Sequence, residues 1–361
     1  MAPIRDILIN LRSGKGLSRR DGVAFDPMDC DGLRVSCQCQ WPGDISDWKK
    51  LFQTDQNATI FQSPIWQMAS WKAGRVRGRL RFIQVHRQNE LLMALPMVLD
   101  HVGVLQSAGN SMSDYLHPLI ISDSIAESCW RAILTFIKQH WDEHVHGFSI
   151  HNIRADHLAR NILASISETH GFAFGEMIAE QTPILLLPET FDAYLASLDA
   201  HERKELRRKI NKAQTKAAAV LERIESTDQA VAALPAAIAM MQNAGGDKAL
   251  AITGYIKPLL EAIGPDLIQA NLLEIHTLKL QNQIACYMLQ CPAHQSRMLY
   301  NIGVDMNQKE FSPGVVAAGL SIQQAIERRE KTFDFLRGNE PYKYRLGAVN
   351  RALYRINLQK K

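Results

Sequence analysis

Residues 312–343 read Ser-Pro-Gly-Val-Val-Ala-Ala-Gly-Leu-Ser-Ile-Gln-Gln-Ala-Ile-Glu-Arg-Arg-Glu-Lys-Thr-Phe-Asp-Phe-Leu-Arg-Gly-Asn-Glu-Pro-Tyr-Lys. Ser312 suits an N-cap, Pro313 suits the first helical position, and Gly314 has no side chain to hold a ligand off the backbone. A helix N-terminus offers free N–H groups and the positive end of the helix dipole, so a phosphate or pyrophosphate fits there. Val315, Ala318, Ile322, Ala325 and Ile326 share one face. The helix is therefore expected to pack on a sheet with its polar side outward, with Gly319 letting helix and strand approach. Thr332 to Leu336 follows as a short strand, Phe333 and Phe335 facing one way, Asp334 and Leu336 the other. A carboxylate on a buried strand needs a partner, and Arg337 and Lys343 are the nearest cations in sequence.

With 361 residues the chain is long enough for about two domains. Apolar residues make up 46% and charged residues 22%, the balance of a packed globular protein. No apolar run approaches the roughly 20 residues that span a bilayer, and the charged first twenty residues lack a signal-peptide block, so a cytoplasmic location is expected. Six scattered cysteines fit reduced thiols, and Cys37-Gln38-Cys39 is followed by no pair with zinc-type spacing, so no metal is expected. A net charge of +4 leaves any pull on anions to local clusters.

Residues 1–33 read as a poorly ordered tail. From 34 the order of elements becomes regular. A strand, helical segments around 45–52 and 64–73, and the hairpin RLRFIQVHR/LLMALPMVLDH lead to a polar break at 109–115, a helix from Ile125, a strand GFSIHNI, another helix, and one long bent strand or two through FAFGEMIAEQTPILLLP. The second half repeats that order through helices at 228–243 and 253–263, a three-strand meander, and the stretch quoted above. Two copies of one α/β unit, 34–187 and 188–361, are the expected organisation. Between them lies a basic helix. Residues 203–216 hold seven Lys/Arg against one acid, with Leu206, Ile210, Ala213 and Ala217 as the docked stripe. Its outer face suits coenzyme phosphates, a nucleotide-sugar or lipid-linked phosphate, tRNA or an anionic membrane surface, or is simply a solvated charged face, and the absence of interleaved aromatics argues against specific nucleic-acid binding.

The run Phe333-Asp334-Phe335-Leu336-Arg337-Gly338-Asn339-Glu340-Pro341-Tyr342-Lys343, behind Ser312-Pro313-Gly314, resembles the C-terminal signature of the FemAB-like acyltransferases of the GNAT superfamily, in particular the cellulose-biosynthesis CelD/BcsL type. Phe61-Gln62-Ser63-Pro64-Ile65-Trp66 resembles that family's first helix, Ser113-Asp114-Tyr115 its mid-chain turn, and Arg203 to Lys209 the Arg-rich helix opening its second unit. The resemblance covers about residues 34 to 350. It implies a mixed-sheet α/β chain built as a tandem pair of GNAT-like acyl-CoA N-acyltransferase folds. It also implies transfer of an acyl group, typically acetyl, from acyl-CoA to an amine or hydroxyl of a small-molecule or lipid-linked sugar acceptor in surface-polysaccharide synthesis.

In that fold the coenzyme pyrophosphate lies where Val304 to Gly314 falls here, making Lys309, Ser312, Pro313 and Gly314 the donor-binding candidates. The loop departs from the usual Gln/Arg-x-x-Gly-x-Gly/Ala pattern and offers Lys309 as its cation. Acyl transfer needs a base, a donor for the thioester oxygen and an acid for the thiolate. Asp334 and Glu340 are the candidate bases, Tyr300 and Tyr342 the candidate acids. Asp114, Tyr115, Arg203, Arg207, Arg337 and Lys343 are the candidate acceptor contacts. Two rivals share the fold or surroundings: an aminoacyl-tRNA-dependent transferase, and a non-catalytic accessory protein of a polysaccharide synthase. Oligomeric state is not legible.

Overall fold

The computed structural model describes residues 25–72, 78–109, 113–141, 145–243 and 252–361. Most of the expected tail, residues 1–24, lies outside the described residues. From Phe25 the chain is packed: Phe25 is buried and stacks on His140, and Met28–Cys30 pairs as a strand with Leu33–Gln38.

The described strands are β1 (Met28–Cys30), β2 (Leu33–Gln38), β3 (Arg79–Arg87), β4 (Glu90–Leu99), β5 (Val104–Ser107), β6 (Leu119–Ile120), β7 (Gly147–Arg154), β8 (Phe172–Leu186), β9 (Val220–Arg223), β10 (Glu274–Leu280), β11 (Gln283–Ala293), β12 (Ser296–Val304), β13 (Thr332–Asp334) and β14 (Val349–Lys360). The helices are α1 (Ser46–Thr54), α2 (Pro64–Lys72), α3 (Ala126–Gln139), α4 (Leu158–Ile166), α5 (Phe191–Ser197), α6 (Ala200–Ala217), α7 (Thr227–Gln242), α8 (Lys257–Gln269), α9 (Pro313–Glu327) and α10 (Pro341–Arg345). The pattern β-α-α-β-β-β-α-β-α-β therefore occurs twice, first as β2-α1-α2-β3-β4-β5-α3-β7-α4-β8 and then as β9-α7-α8-β10-β11-β12-α9-β13-α10-β14. The mixed α/β chain is a tandem pair of one fold.

All strands join one mixed sheet in the order β1-β2-β3-β4-β5-β7-β14-β8-β13-β12-β11-β10-β9, with β6 beside β4. The last strands are exchanged. β8 pairs with β13 of the second pattern, while β14 pairs with β7 of the first, and the two run antiparallel to each other along their length. Parallel pairing between the named strands is confined to β5/β7 and β12/β13, each joined by a crossover helix, α3 or α9.

Helix α6 docks on α9 through Leu206, Ile210, Ala213 and Ala217. This changes the expectation for α9, whose outer side is covered by α6 and which is buried nearly all round, including Ala317, Leu320 and Ser321. Gly319 faces α6 rather than the sheet: a Cβ there would stand 2.9 Å from Leu206 Cδ1. On the opposite face α2 packs with α7 and α8, and one apolar cluster holds Phe61, Trp66 and Tyr115 together with Leu234, Leu260, Leu336 and Leu353.

Candidate acyl-transfer site

β12 and β13 pair for only three residues, Ser296–Met298 with Thr332–Asp334, and then part. β13 stops because the chain turns away: the Phe335 N–H donates to the Pro183 carbonyl at 3.0 Å, and Leu336 and Gly338 take positive φ of 56° and 109°. β12 runs on to Val304, and β8 continues past Ile184 in the other direction with β14 as its one paired neighbour among the described residues. The result is a wedge where a strand is missing. Its β8 edge is open, leaving Met177 and Ile178 55% and 54% exposed.

The corresponding wedge in the first half is closed by the chain itself. Beyond the three paired residues of β5 and β7, Ser107 Oγ accepts the His151 N–H at 3.1 Å, Asn152 Nδ2 donates to the Ser113 carbonyl at 2.9 Å, and the Leu116 N–H donates to the Asn152 carbonyl at 3.3 Å.

That closing segment carries Asp114 and Tyr115 across to the second half. Arg337 donates from Nε to one Asp114 oxygen at 2.6 Å and from its backbone N–H to the other at 3.1 Å. The Tyr115 hydroxyl donates to Asp334 Oδ2 at 2.5 Å, and Arg351 donates from Nη2 to both, at 2.6 Å and 2.8 Å. The other Asp334 oxygen accepts the Leu336 N–H at 2.8 Å. Asp334 is 3% exposed, and its partners are Tyr115 and Arg351 rather than Arg337 or Lys343, the cations nearest in sequence. Burial, together with the neighbouring Asp334 charge, holds the Tyr115 phenol well above its ordinary range, so it stays a neutral donor.

Lys343 is 3% exposed and faces inward. Its ammonium donates to the Arg337 and Gly338 carbonyls at 3.0 and 3.1 Å and pairs with Glu340 at 2.9 Å. Lys343 and Glu340 thus fasten the turn that ends β13, and the ammonium faces carbonyls instead of an open cleft. Tyr342 and Tyr300 lie on opposite faces of the sheet. Tyr342 meets Phe335 edge-on beside the α6/α9 core, and Tyr300 meets Trp66 edge-on at 5.7 Å beside the α2/α7/α8 core. Burial raises both phenols, and Tyr300 also feels Asp114, Tyr255 and Arg337.

The loop before α9 differs from its expected form. Ser312 occupies the N-cap in a left-handed conformation and makes no side-chain cap; its carbonyl accepts the Val315 and Val316 N–H groups at 3.0 Å each. A Cβ on Gly314 would lie 3.1 Å from Val304 Cγ1, so glycine there serves packing on β12. Pro313 is buried and Lys309 is exposed on the short 3-10 turn Met306–Phe311. Helix α6 reaches this loop through Lys212, which donates to the Glu310 carbonyl at 2.8 Å and lies over the Phe311 ring. Arg203 and Arg207 instead lie over α5, on the Ala196 carbonyl and near Asp192. A pocket of about 380 Å³ opens at the end of β12, between Ala236, Ala239 and Met240 of α7 and Asp305 to Asn307.

Asp114, Tyr115, Asp334 and Arg337 are thus brought together, while Arg203, Arg207 and Lys309 stand apart from them. Sequence reasoning does not single out Arg351. The signal for Arg351 was the alternation through Leu353, Ile356 and Leu358, broken by a bulge at Leu353/Tyr354. Among the described residues no three His, Cys, Asp or Glu side chains gather to hold a metal, and no helix is long and apolar enough to cross a membrane.

Residues 200–344 match the family model of the acetyltransferase (GNAT) domain. The whole fold is similar to the solved structure of FemX, at 13% identity and a TM-score of 0.58, over 87% of this chain and 96% of that one. It is equally similar to a conserved protein of unknown function from Bacteroides thetaiotaomicron, at 13% identity and a TM-score of 0.59, over 90% of this chain and 100% of that one. No curated protein matches the sequence. The matched domain contains β12, α9, β13 and the turn through Lys343, which form the wedge together with the β8 edge outside the match. The chain carries a GNAT acetyltransferase domain and is an acyltransferase.

Proposed function

We propose that the chain moves an acyl group, acetyl in the simplest case, from acyl-CoA to a sugar or sugar-lipid precursor of a bacterial surface polysaccharide. The observation that carries the donor half of this reading is the open wedge between β12 and β13, set inside the GNAT domain and leading to the α9 N-terminus. The sugar acceptor rests on the resemblance of Phe333 to Lys343 to the CelD/BcsL type.

The residues fit a coenzyme thioester in outline. The β12 edge beyond Met298 lies beside the wedge, partly buried Val304, Phe311, Val315 and Tyr342 rim its α9 side, and Lys309 stands exposed on the loop for a phosphate. Tyr342, kept neutral by burial, donates a hydrogen bond to the departing thiolate. Asp334 and Glu340 act on protein groups, Tyr115 with Arg351 and Lys343 respectively, and so shape the turn. The acceptor approaches on the other face, beside Tyr300 and the Asp114–Arg337 pair.

Calorimetric titration of the full chain with acetyl-CoA and, separately, with charged tRNA tests the donor. Saturable acetyl-CoA binding that weakens in Lys309→Ala is expected; binding of charged tRNA alone would replace this reading with the tRNA-dependent one.

A further inference from the structure

The acyl-transfer reading makes no use of the pocket at the end of β12. Its volume is about 380 Å³, and its walls are Ala236, Ala239, Met240 and Asn243 of α7 and its C-terminus, Val304, and the start of the turn that leads to α9, Asp305 to Asn307. The helix residues come from one stripe at helical spacing. The helix lies this close to the strand because Gly303 faces it: a Cβ there would stand 2.7 Å from the Met241 backbone nitrogen. Alanine at 236 and 239 then leaves the space beyond the end of β12 unfilled. Met306, which also lines it, is 57% exposed, a large apolar side chain left in water.

The lining decides what kind of group fits. Its one charged member is Asp305, whose carboxylate accepts the Asn307 N–H at 3.0 Å and the Gln308 amide at 3.1 Å. A phosphate placed there would meet a carboxylate and no cation, so the pocket suits an uncharged, largely apolar group. Asn243 and Asn307 add amides of the kind that pair with the polar edge of an adenine.

Position narrows the choice further. The wedge begins at Met298, and Val304 lies six residues on, roughly 20 Å along the strand. With the thioester at the narrow end of the wedge, an acetyl group cannot reach the pocket. Lys309, the exposed cation available to a phosphate, follows Asn307 by two residues on the same turn. The part of the coenzyme that adjoins its phosphates at that end is the nucleoside. We infer that this pocket holds the purine base of the donor coenzyme, with Met240 and Met306 against the ring and Asn243 and Asn307 at its edge. The inference rests on the donor being acyl-CoA, and it names what this chain recognises in that donor beyond the phosphates.

Calorimetric titration of the full chain with dephospho-CoA and with phosphopantetheine tests it, since the two differ by the adenylate. Wild type is expected to bind dephospho-CoA at least about tenfold more tightly, the scale of burying one apolar group of side-chain size. Ala239→Phe fills the pocket from an exposed position on α7. It should bring dephospho-CoA down to the affinity of phosphopantetheine and leave phosphopantetheine unchanged. Bound etheno-CoA, whose fluorescent base reports its own exposure, should be shielded from acrylamide in wild type and open to it in Ala239→Phe. A wild-type melting temperature in Ala239→Phe checks that the fold is kept. Met306→Ala, at an exposed position, should lose part of the preference without that risk. Equal affinity of the two ligands in wild type, an unchanged preference in Ala239→Phe, or a bound base that stays open to acrylamide overturns the inference and leaves the donor reading intact. Binding of neither ligand strikes the donor reading and the inference with it.

Discussion

Tyr115 and Asp334, 219 positions apart in the chain, meet through a 2.5 Å hydrogen bond, and Arg351 bonds to both. The strand that ends at Asp334 is thereby tied to the segment that closes the first wedge and to the exchanged strand β14. The width of the second wedge is set by contacts between the two halves.

Removing the Asp334 charge leaves Arg351 buried without its carboxylate. We expect Asp334→Asn to lower unfolding stability by about 3–5 kcal/mol, the cost of breaking a buried pair from one side. Tyr115→Phe should cost about 1–2 kcal/mol, because it removes one hydrogen bond and keeps the ring. Urea unfolding of both single variants and the double variant checks this, with the double variant costing less than the sum. Full stability in Asp334→Asn would return that carboxylate to the list of catalytic bases.

Three imidazoles held below their ordinary range by burial give the fold an acid limit. His117 and His157 lie against each other with ring centroids 4.6 Å apart and the rings tilted by 32°; burial and the Arg154 charge hold both below the ordinary histidine range, with His157 adding to the effect on His117, and His157 is held down to about 3. Burial and Arg355 hold His151 down to about 4. As pH falls, the unfolded chain takes up protons first, near a pKa of roughly 6.5. Stability that is complete above that value is therefore lost as pH falls toward the folded-state values, by about 1.4 kcal/mol per pH unit for each imidazole. Urea midpoints should fall steadily between about pH 7 and about pH 5, with a shallower slope in His157→Gln. A flat profile would show that these rings are not held neutral.

Two glycines should respond differently to alanine. At Gly303 a Cβ would lie 2.7 Å from the Met241 backbone nitrogen, and α7 cannot yield without moving as a helix. At Gly319 the nearest atom is the end of the Leu206 side chain, which can shift. We expect Gly303→Ala to cost about 1–3 kcal/mol, as overpacking does, and Gly319→Ala clearly less. Thermal melts of the two variants decide it; a larger loss at Gly319 would mean the α6/α9 contact is the stiffer one.

The apolar runs of β3, β4 and β10 to β12, set off by short polar turns, and the helical spacing of α6 make those elements legible, and Asp114, Tyr115, Asp334 and Arg337 are recognisable from residue type and position. Partners are not. Asp334 is answered by a residue on β14, and β14 itself is hard to see because polar side chains fill much of it and the bulge at Leu353/Tyr354 breaks its period. Strand exchange between halves has no local signal, since each strand needs only a partner of suitable length. Ser-Pro-Gly looked like a capped anion site because its residues suit one; the left-handed Ser312 and the Val304 methyl against Gly314 are consequences of how α9 meets β12.

The claim that one wedge is open and its counterpart closed is tested most directly by hydrogen exchange with and without saturating acetyl-CoA, read by mass spectrometry. The account expects new protection in Leu299 to Val316, covering the free end of β12 and the loop into α9, and none in Val104 to Leu116. No protection in either segment, or protection confined to Val104 to Leu116, would contradict it.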